Sequence, residues 1–374
     1  MKVIVAGDYC ERYRVADAVA KENYGQLFDS EVCSCIKAAD YSIINFEFPI
    51  VIGDNKPIEK CGPNLKGSIR SIDAIKFAGF KCATLANNHI NDYGPDALMD
   101  TKRLLEDGGL DTVGAGNNLD NAKQILYRSI EGRVLAIINC CEHEFSIATH
   151  STPGANPLNP IQQYYSILEA KKKADHVMVI VHGGHEHWQL PSQRMVETYR
   201  FFIDCGADAV VNHHQHCYSG TETYKGKPIL YGLGNFCFDN KPIRDNDNWN
   251  YGCMAEIDFN DHNVCFRLIP IIQCDNRIGV RFAESKVFEK KQAELNAIIS
   301  DTELLLHNNT EYYKDSISTC YAVLNPFQNR YIQALQRRKL FPVLLNKGWL
   351  VGIHNFTICE SHRDRLIYFF NHLA

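Results

Sequence analysis

Residues 81–92 read KCATLANNHIND, a short apolar run that is followed at once by polar side chains. The first part, Lys81–Leu85, has the length and composition of a strand that is buried on both faces. Helices are predicted before it at Ile69–Ala78 and after it at Asp96–Glu106, and Gly79 is a suitable stop for the first. A strand flanked by two helices is the repeating unit of a layered α/β fold.

Strands and helices alternate in both directions from this segment. Further strands are predicted at Lys2–Ala6, Tyr41–Phe46, Asp111–Val113, Arg133–Asn139, His176–Val181 and Ala209–Val211, and further helices at Gln26–Ala38, Ile161–Lys173 and Gln193–Cys205. Beyond residue 220 strands follow one another directly, which predicts an antiparallel or mixed part of the sheet. Beyond Phe282 the pattern is that of charged helices. We therefore expect an α/β domain over residues 1–280 and a mostly helical extension over residues 281–374.

The composition excludes several classes of protein. The chain has 374 residues, of which 45% are hydrophobic and 22% charged, which excludes a disordered or collagen-like chain. A formal net charge of −5 offers no basic field for a nucleic-acid backbone, so we expect no nucleic-acid partner. No apolar run is long enough to span a bilayer, and the N-terminal one is too short for a signal peptide. The 15 cysteines are scattered, which favours buried thiols and a cytoplasmic location.

Polar side chains follow the predicted strands at the points where the strands end. Six of them are of types that bind metal ions: Asp8, Glu47, Asn88, His182, His214 and His216. Ligands of open α/β sheets bind outside the carboxyl ends of the strands, so we expect these side chains to lie close together. Each alone is more simply a turn or capping residue, but six histidines fall between residues 182 and 216. The set therefore predicts a metal site.

The donor set suits two divalent ions. Two carboxylates, one amide oxygen and three imidazoles supply the mixed oxygen and nitrogen ligands that Mn²⁺, Fe or Zn²⁺ accept more readily than Ca²⁺. His89 would then stand beside the ions, where an imidazole can hydrogen-bond a substrate or protonate a leaving group. Asp92 lies three residues further on and can orient that imidazole. His89 and Asp92 are therefore the candidate catalytic residues.

Several blocks of sequence match a known family, in the family's order. They are residues 7–8 (GD), 45–47 (NFE), 78–94 (AGFKCATLANNHINDYG), 114–116 (GAG), 182–186 (HGGHE), 213–216 (HHQH) and 231–236 (YGLGNF). On these blocks the chain resembles the CapA family of capsule-synthesis proteins, also called the poly-γ-glutamate capsule proteins. That family is a branch of the calcineurin-like metallophosphoesterase superfamily, and the resemblance covers about residues 1–270.

The resemblance implies a four-layer α/β/β/α sandwich with a metal centre among its loops. It implies that the six metal-site candidates are ligands, that Glu47 bridges two ions, and that His89 and Asp92 form an acid–base pair. It also implies a metal-dependent hydrolase, acting on a phosphoester or alternatively on a γ-glutamyl amide, in capsule, exopolysaccharide or poly-γ-glutamate synthesis. The chain departs from the family pattern at Cys10, where many superfamily members have a histidine ligand. Further departures are Gly183, His187, Asn212 and Gln215.

A different class of function stays open. On that hypothesis the protein is a non-catalytic assembly or binding factor for capsule synthesis, and the extension is its docking surface. Its candidate contacts are Tyr331, Leu335, Leu340, Phe341 and Trp349, although packing against the protein's own core is the simpler expectation. The polar segment 360–364 fits a site or the start of a solvated helix. We expect a small-molecule or polymer substrate, and a homo-oligomer or a biosynthetic partner held through the extension.

Overall fold

The computed structural model describes residues 1–244, 248–260, 263–315, 329–338, 340–341 and 347–358. Its strands are β1 (Lys2–Cys10), β2 (Tyr41–Phe46), β3 (Cys82–Thr84), β4 (Asp111–Val113), β5 (Ala115–Gly116), β6 (Leu126–Ile130), β7 (Arg133–Cys141), β8 (Gly154–Ala155), β9 (His176–His182), β10 (Ala209–His213), β11 (Thr221–Tyr224), β12 (Lys227–Leu230), β13 (Asn235–Phe238), β14 (Tyr251–Phe259), β15 (Val264–Gln273) and β16 (Val280–Phe282). Its helices are α1 (Tyr13–Ala20), α2 (Tyr24–Leu27), α3 (Ser30–Lys37), α4 (Arg70–Ala78), α5 (Gly94–Asp107), α6 (Leu119–Ala122), α7 (Pro160–Lys171), α8 (Gln193–Asp204), α9 (Ser285–Ser300), α10 (Thr302–Asp315), α11 (Arg330–Arg337) and α12 (Lys347–Ile358). The segment 360–364 and the side chain of Trp349 lie outside the described part.

The larger of the two main sheets has β1 near its centre. Its strand order is β16-β15-β14-β1-β2-β3-β4, and β13 also pairs with β1. Strands β1 to β4 are parallel, whereas β14 runs antiparallel to β1 over Lys2–Val5. Strand β13 pairs with β1 over Asp8–Cys10, so β14 and β13 pair with successive parts of the same edge of β1. The start of β13 therefore lies beside Asp8.

The smaller main sheet has the strand order β11-β12-β10-β9-β7-β6. Strands β7, β9, β10 and β12 are parallel, and the hairpins β6–β7 and β11–β12 add antiparallel edges. Strand β9 reads HVMVIVH and is buried along its whole length. A continuous run of this kind is typical of a central parallel strand that is covered on both faces.

The alternation of side chains along β1 shows how the layers stack. Val3 and Val5 pack in a core cluster with residues of β7, β9 and β10, whereas Ile4 and Ala6 pack in another with residues of α1 to α5. Because successive residues of a strand point to opposite faces, the two sheets face each other and α1 to α5 cover the outer face of the first. Helices α7 and α8 pack against β9 and β10. The predicted four-layer α/β/β/α sandwich is confirmed.

Most predicted elements differ from the observed ones by one or two residues at their ends, and two differ by more. The expectation that the first strand stops at Gly7 is wrong: β1 continues through Asp8 to Cys10, because pairing with the distant strand β13 extends it beyond its apolar run. The predicted helix Gln26–Ala38 is wrong as one helix. It is divided into α2 and α3 because Phe28 is extended and bridges to Val280.

The described chain divides into two compact units, Met1–Leu306 and His307–Ala374. The first extends past residue 280, where the sequence predicts a boundary, because α9 packs against β11 and β15. In the second unit, Tyr331, Leu335 and Leu340 have exposed fractions of 66%, 41% and 71%. Within the described residues, every helix is too short or too polar to span a bilayer.

Candidate metal centre

Two carboxylates come together because β1 and β2 pair in parallel register. Asp8 lies opposite Asn45, and Glu47 directly follows the last residue of β2. Both carboxyl groups are fully buried. The Asn45 amide joins them, since its Nδ2 donates to Asp8 Oδ1 at 2.7 Å and to Glu47 Oε2 at 3.3 Å. One amide thus holds two acidic groups side by side.

The histidines reach the same place from the second sheet. His182 ends β9, and its parallel partner in β10 is His213. The chain then turns sharply, since His214 (φ 89°) and His216 (φ 54°) both have a left-handed backbone. Residues other than glycine seldom adopt this conformation, and where they do the strain is often associated with a functional site. The ring centroids of His214 and His216 lie 6.2 Å apart.

Three atoms that can act as metal ligands surround the Nε2 atom of His182. Asn88 Oδ1 lies 3.0 Å from it, His214 Nδ1 3.1 Å and Glu47 Oε1 3.9 Å. A single ring hydrogen on His182 can serve only one of these neighbours. Ligands that bind one ion at about 2.0–2.2 Å lie about 3–4 Å from one another. The four side chains therefore fit one divalent cation.

A second group of donors adjoins the first at Glu47. His216 Nε2 lies 3.7 Å from Glu47 Oε1, and His216 Nδ1 lies 3.4 Å from Asp8 Oδ2. Asp8, Glu47 and His182 also offer donor atoms that all lie within 4.8 Å of one another. Glu47 Oε1 belongs to both groups, which is the position expected of a carboxylate between two ions. The structure thus brings all six predicted metal-site residues together.

The electrostatics of Glu47 test whether the residues fit a metal. Its Oε1 atom is buried and has no hydrogen-bond partner. Burial and the neighbouring Asp8 charge raise the pKa of Glu47; burial also acts to raise the pKa of Asp8, but contacts with His216 and His182 outweigh it and lower that pKa. Burial and His214 lower the pKa of His182, which keeps the ring neutral as a metal ligand must be. Adjacent buried carboxylates repel each other unless positive charge lies beside them, so the residues fit the binding of a divalent cation.

His89 and Asp92 form a buried pair next to this centre. His89 Nδ1 lies 2.7 Å from Asp92 Oδ2, and the backbone N–H of Leu65 donates to the same oxygen at 2.6 Å. His89 directly follows Asn88, whose amide oxygen belongs to the first donor group. Burial lowers the pKa of His89, although Asp92 acts against this effect. The pair holds a neutral imidazole in one orientation beside the candidate ligands.

The sequence reasoning misses Lys60 in this group. Its side chain is only 2% exposed and its ammonium pairs with Asp92. Its Nζ atom lies 3.1 Å from His89 Nδ1. Lys60 belongs to the loop between β2 and α4, and nothing in its local sequence marks it as a site residue.

Glu144 is a second residue that the sequence reasoning misses. Its Oε2 accepts a hydrogen bond from Asn88 Nδ2 at 3.3 Å, and its Oε1 lies 4.0 Å from His214 Nε2. Because 38% of its side chain is exposed, Glu144 lies at the rim of the centre. Asn45, also missed, stands inside the matched block 45–47, which was the available signal for it.

Three of the five departures from the family pattern have local explanations. Burial and Glu47 raise the pKa of the Cys10 thiol, which disfavours a thiolate ligand there. A Cβ on Gly183 would lie 2.6 Å from the Glu142 side chain, so a larger residue would displace that glutamate. Gln215 Nε2 donates to the carbonyl of Trp188 at 2.8 Å and ties down the loop after β9.

Several known proteins are similar to this chain in amino-acid sequence. The chain is 33% identical over 255 residues to the capsule biosynthesis protein CapA of Bacillus anthracis, covering 66% of this chain and 62% of that protein. It is 35% identical over 237 residues to the PGA biosynthesis protein CapA of Bacillus subtilis (strain 168), covering 63% of this chain and 62% of that protein. A probable polyglutamine synthesis accessory protein of Mycobacterium tuberculosis is 30% identical over 223 residues, covering 55% and 57%. The chain thus spans less than two thirds of the length of these relatives.

A search of solved structures matches a novel phosphatase from Mycoplasma pneumoniae, with a TM-score of 0.46 and 17% identity, covering 74% of this chain and 95% of that one. Another is a 5′-nucleotidase precursor from Thermus thermophilus, with a TM-score of 0.43 and 12% identity, covering 78% and 57%. The family model described as "Bacterial capsule synthesis protein PGA_cap" matches residues 2–240, in agreement with the blocks in the sequence. On this match, the chain belongs to the bacterial capsule synthesis protein family PGA_cap.

Proposed function

We propose that this protein is a divalent-metal-dependent hydrolase that cleaves a phosphoester or a γ-glutamyl amide in the synthesis of a capsule polymer. The convergence of Asn88, His214 and Glu47 on the Nε2 atom of His182 carries the proposal. The names of the related proteins support the link to poly-γ-glutamate and capsule synthesis.

The chemistry divides between the centre and the adjacent pair. Two divalent ions, when bound, lower the pKa of water toward neutrality and stabilise the negative charge that develops on the substrate. Asp8, Glu47, Asn88, His182, His214 and His216 would hold these ions, which we expect to be Mn²⁺, Fe or Zn²⁺. Once protonated from solvent, His89 would give a proton to the leaving group; as a neutral ring it would only hydrogen-bond the substrate. Asp92 keeps the imidazole in place.

The first experiment is the metal content of protein purified without chelator, measured by mass spectrometry. We expect about two equivalents of Mn, Fe or Zn in the wild type and a loss of bound metal in the double variant His214→Ala/His216→Ala. Phosphoesters and γ-glutamyl peptides are then screened as substrates. No stoichiometric metal after addition of Mn²⁺ and Zn²⁺ would contradict the proposal.

His89→Ala tests the role of the adjacent pair. We expect it to lower kcat by a factor of about 10²–10⁴, since this is the usual contribution of general acid–base catalysis. Metal content should stay unchanged because His89 is not among the candidate ligands. Unchanged turnover in His89→Ala would contradict the assigned role.

A second candidate function is that of a non-catalytic assembly factor. Two observations favour it: one relative is described as a synthesis accessory protein, and Tyr331, Leu335 and Leu340 are exposed. Complementation of a strain that lacks its own copy of the gene distinguishes the two functions. A hydrolase requires His89, so His89→Ala should fail to restore polymer, whereas an assembly factor should tolerate this substitution.

A further inference from the structure

Residues 233–236 (LGNF) belong to the matched block 231–236, and the proposed reaction leaves them without a role. Strand β13 starts within this block, and Asn235 lies opposite Asp8 in the parallel register with β1. The backbones approach very closely, since a Cβ on Gly7 would lie 1.8 Å from the carbonyl oxygen of Gly234. The same oxygen accepts a hydrogen bond from the Asp8 N–H at 3.2 Å. The pairing of β13 with β1 therefore places Asn235 next to Asp8, one of the candidate metal ligands.

The side chain of Asn235 contacts His216 at two points, the imidazole ring and the backbone carbonyl. Asn235 is fully buried, and its Oδ1 lies 2.9 Å from His216 Nδ1. Its Nδ2 donates to the backbone carbonyls of His216 and Trp249, each at 3.2 Å. Since carbonyls only accept hydrogen bonds, the orientation of the amide is determined, and its oxygen must face the imidazole.

This contact determines which nitrogen of His216 is available to a metal. Two acceptors face Nδ1, namely Asn235 Oδ1 at 2.9 Å and Asp8 Oδ2 at 3.4 Å, so Nδ1 carries the hydrogen. In the neutral ring Nε2 then has a free lone pair, and it lies 3.7 Å from Glu47 Oε1. The hydrogen bond from Asn235 Nδ2 to the carbonyl of His216 also stabilises the left-handed backbone of that residue.

We propose that Asn235 is a positioning residue of the metal centre, which fixes the tautomer and ring orientation of His216 so that Nε2 is its ligand atom. The inference rests on the proposed function, because it assumes a metal beside Asp8, Glu47 and His216. Histidine ligands generally depend on a hydrogen bond at their other nitrogen, and losing it typically weakens metal binding about 10–100-fold.

The first test reads the tautomer in the metal-free wild-type protein. Side-chain ¹⁵N–¹H correlation spectra of protein with ¹⁵N-labelled histidine, recorded in alkaline buffer, distinguish hydrogen on Nδ1 from hydrogen on Nε2. His216→Gln removes one set of signals and so assigns them. Hydrogen on Nδ1 of His216 is expected, and hydrogen on Nε2 would overturn the proposal, with no variant of Asn235 required.

The second test measures Mn²⁺ binding by calorimetry in the full chain. We expect Asn235→Leu to weaken one of two Mn²⁺ sites at least about tenfold. Asn250→Leu is the matched control. Asn250 is also fully buried and donates through Nδ2 to the carbonyls of Gln273 and Cys274, at 3.1 and 3.2 Å, but these contacts do not involve a histidine ligand.

The outcomes separate this proposal from the proposed function. Two unchanged sites in Asn235→Leu, or equal weakening in Asn250→Leu, would overturn the positioning role and leave the metal centre intact. A wild type that binds no Mn²⁺ or Zn²⁺ would contradict the proposed function and remove the ligand role of His216 with it. If Asn235→Leu fails to fold, the tautomer of the wild type decides the matter.

Discussion

Lys60 is buried beside Asp92, and its removal leaves that carboxylate with less compensating charge. We expect Lys60→Met to lower the free energy of unfolding by about 3 kcal/mol, because breaking a buried ion pair is far more costly than breaking an exposed one. Urea denaturation measures the difference.

Lys66→Met is the control for this prediction. Lys66 lies in the same loop but is exposed, and we expect its substitution to change stability by less than about 0.5 kcal/mol. Equal effects of the two substitutions would mean that the ammonium of Lys60 contributes no more than that of a surface lysine.

The junction of β1 with β13 depends on Gly7. A Cβ at this position would lie 1.8 Å from the Gly234 carbonyl oxygen, so Gly7→Ala must push the two strands apart. We expect a loss of about 3 kcal/mol in the free energy of unfolding, together with weaker metal binding, because Asp8 is the next residue.

Gly25→Ala is the matched substitution for Gly7→Ala. A Cβ on Gly25 meets no atom within 4 Å, and the residue lies in helix α2. Alanine there should be neutral or stabilise the protein by up to about 1 kcal/mol. Thermal unfolding of both variants measures their stability relative to the wild type. A Gly7→Ala variant as stable as the wild type would contradict the close approach of the strands.

Asp208 ties together several elements of the second sheet. Its carboxylate accepts from the Val177 N–H in β9 at 2.9 Å and from Lys227 in β12 at 2.7 Å. Burial acts to raise the pKa of Asp208, but these hydrogen bonds outweigh it and lower the pKa. A lowered pKa stabilises the folded state above the unfolded-state value of about 3.9, and this contribution is lost as the pH falls through the folded-state pKa.

Asp208→Asn should therefore destabilise the protein at neutral pH, and its difference from the wild type should shrink as the pH falls below about 4. Urea denaturation at several pH values checks the trend. A difference that stays constant with pH would show that the charge of Asp208 makes no contribution.

Divalent metal should stabilise the whole first unit, since a cation that binds only the folded chain shifts the unfolding equilibrium. At a free Mn²⁺ concentration of 100 times Kd the expected gain is about 2.7 kcal/mol per site. Thermal unfolding with Mn²⁺ and with a chelator measures it. The double variant His214→Ala/His216→Ala should show little gain, and an equal gain in that variant would place the stabilising ion elsewhere.

Much of the architecture could be predicted from local patterns. Strand Asp111–Val113 has the predicted bounds, and the alternation of strands and helices predicted a layered α/β fold, whereas the four-layer arrangement was predicted from the family resemblance. The predictions failed where a distant partner decides the outcome. Pairing with β13 extends β1 through Asp8, and the bridge of Phe28 to Val280 divides a predicted helix.

The amino-acid sequence by itself determined the fold class, the family and the candidate donors, because buried strands, helix stops and motif blocks are local features of the chain. Only the tertiary structure decided that Glu47 Oε1 lies between two donor groups, that Lys60 reaches His89, and that Asn235 faces His216. These contacts join residues far apart in the chain. Their distances depend on which distant strands pair and on how the loops pack over them, and neither is a property of one local segment of the chain.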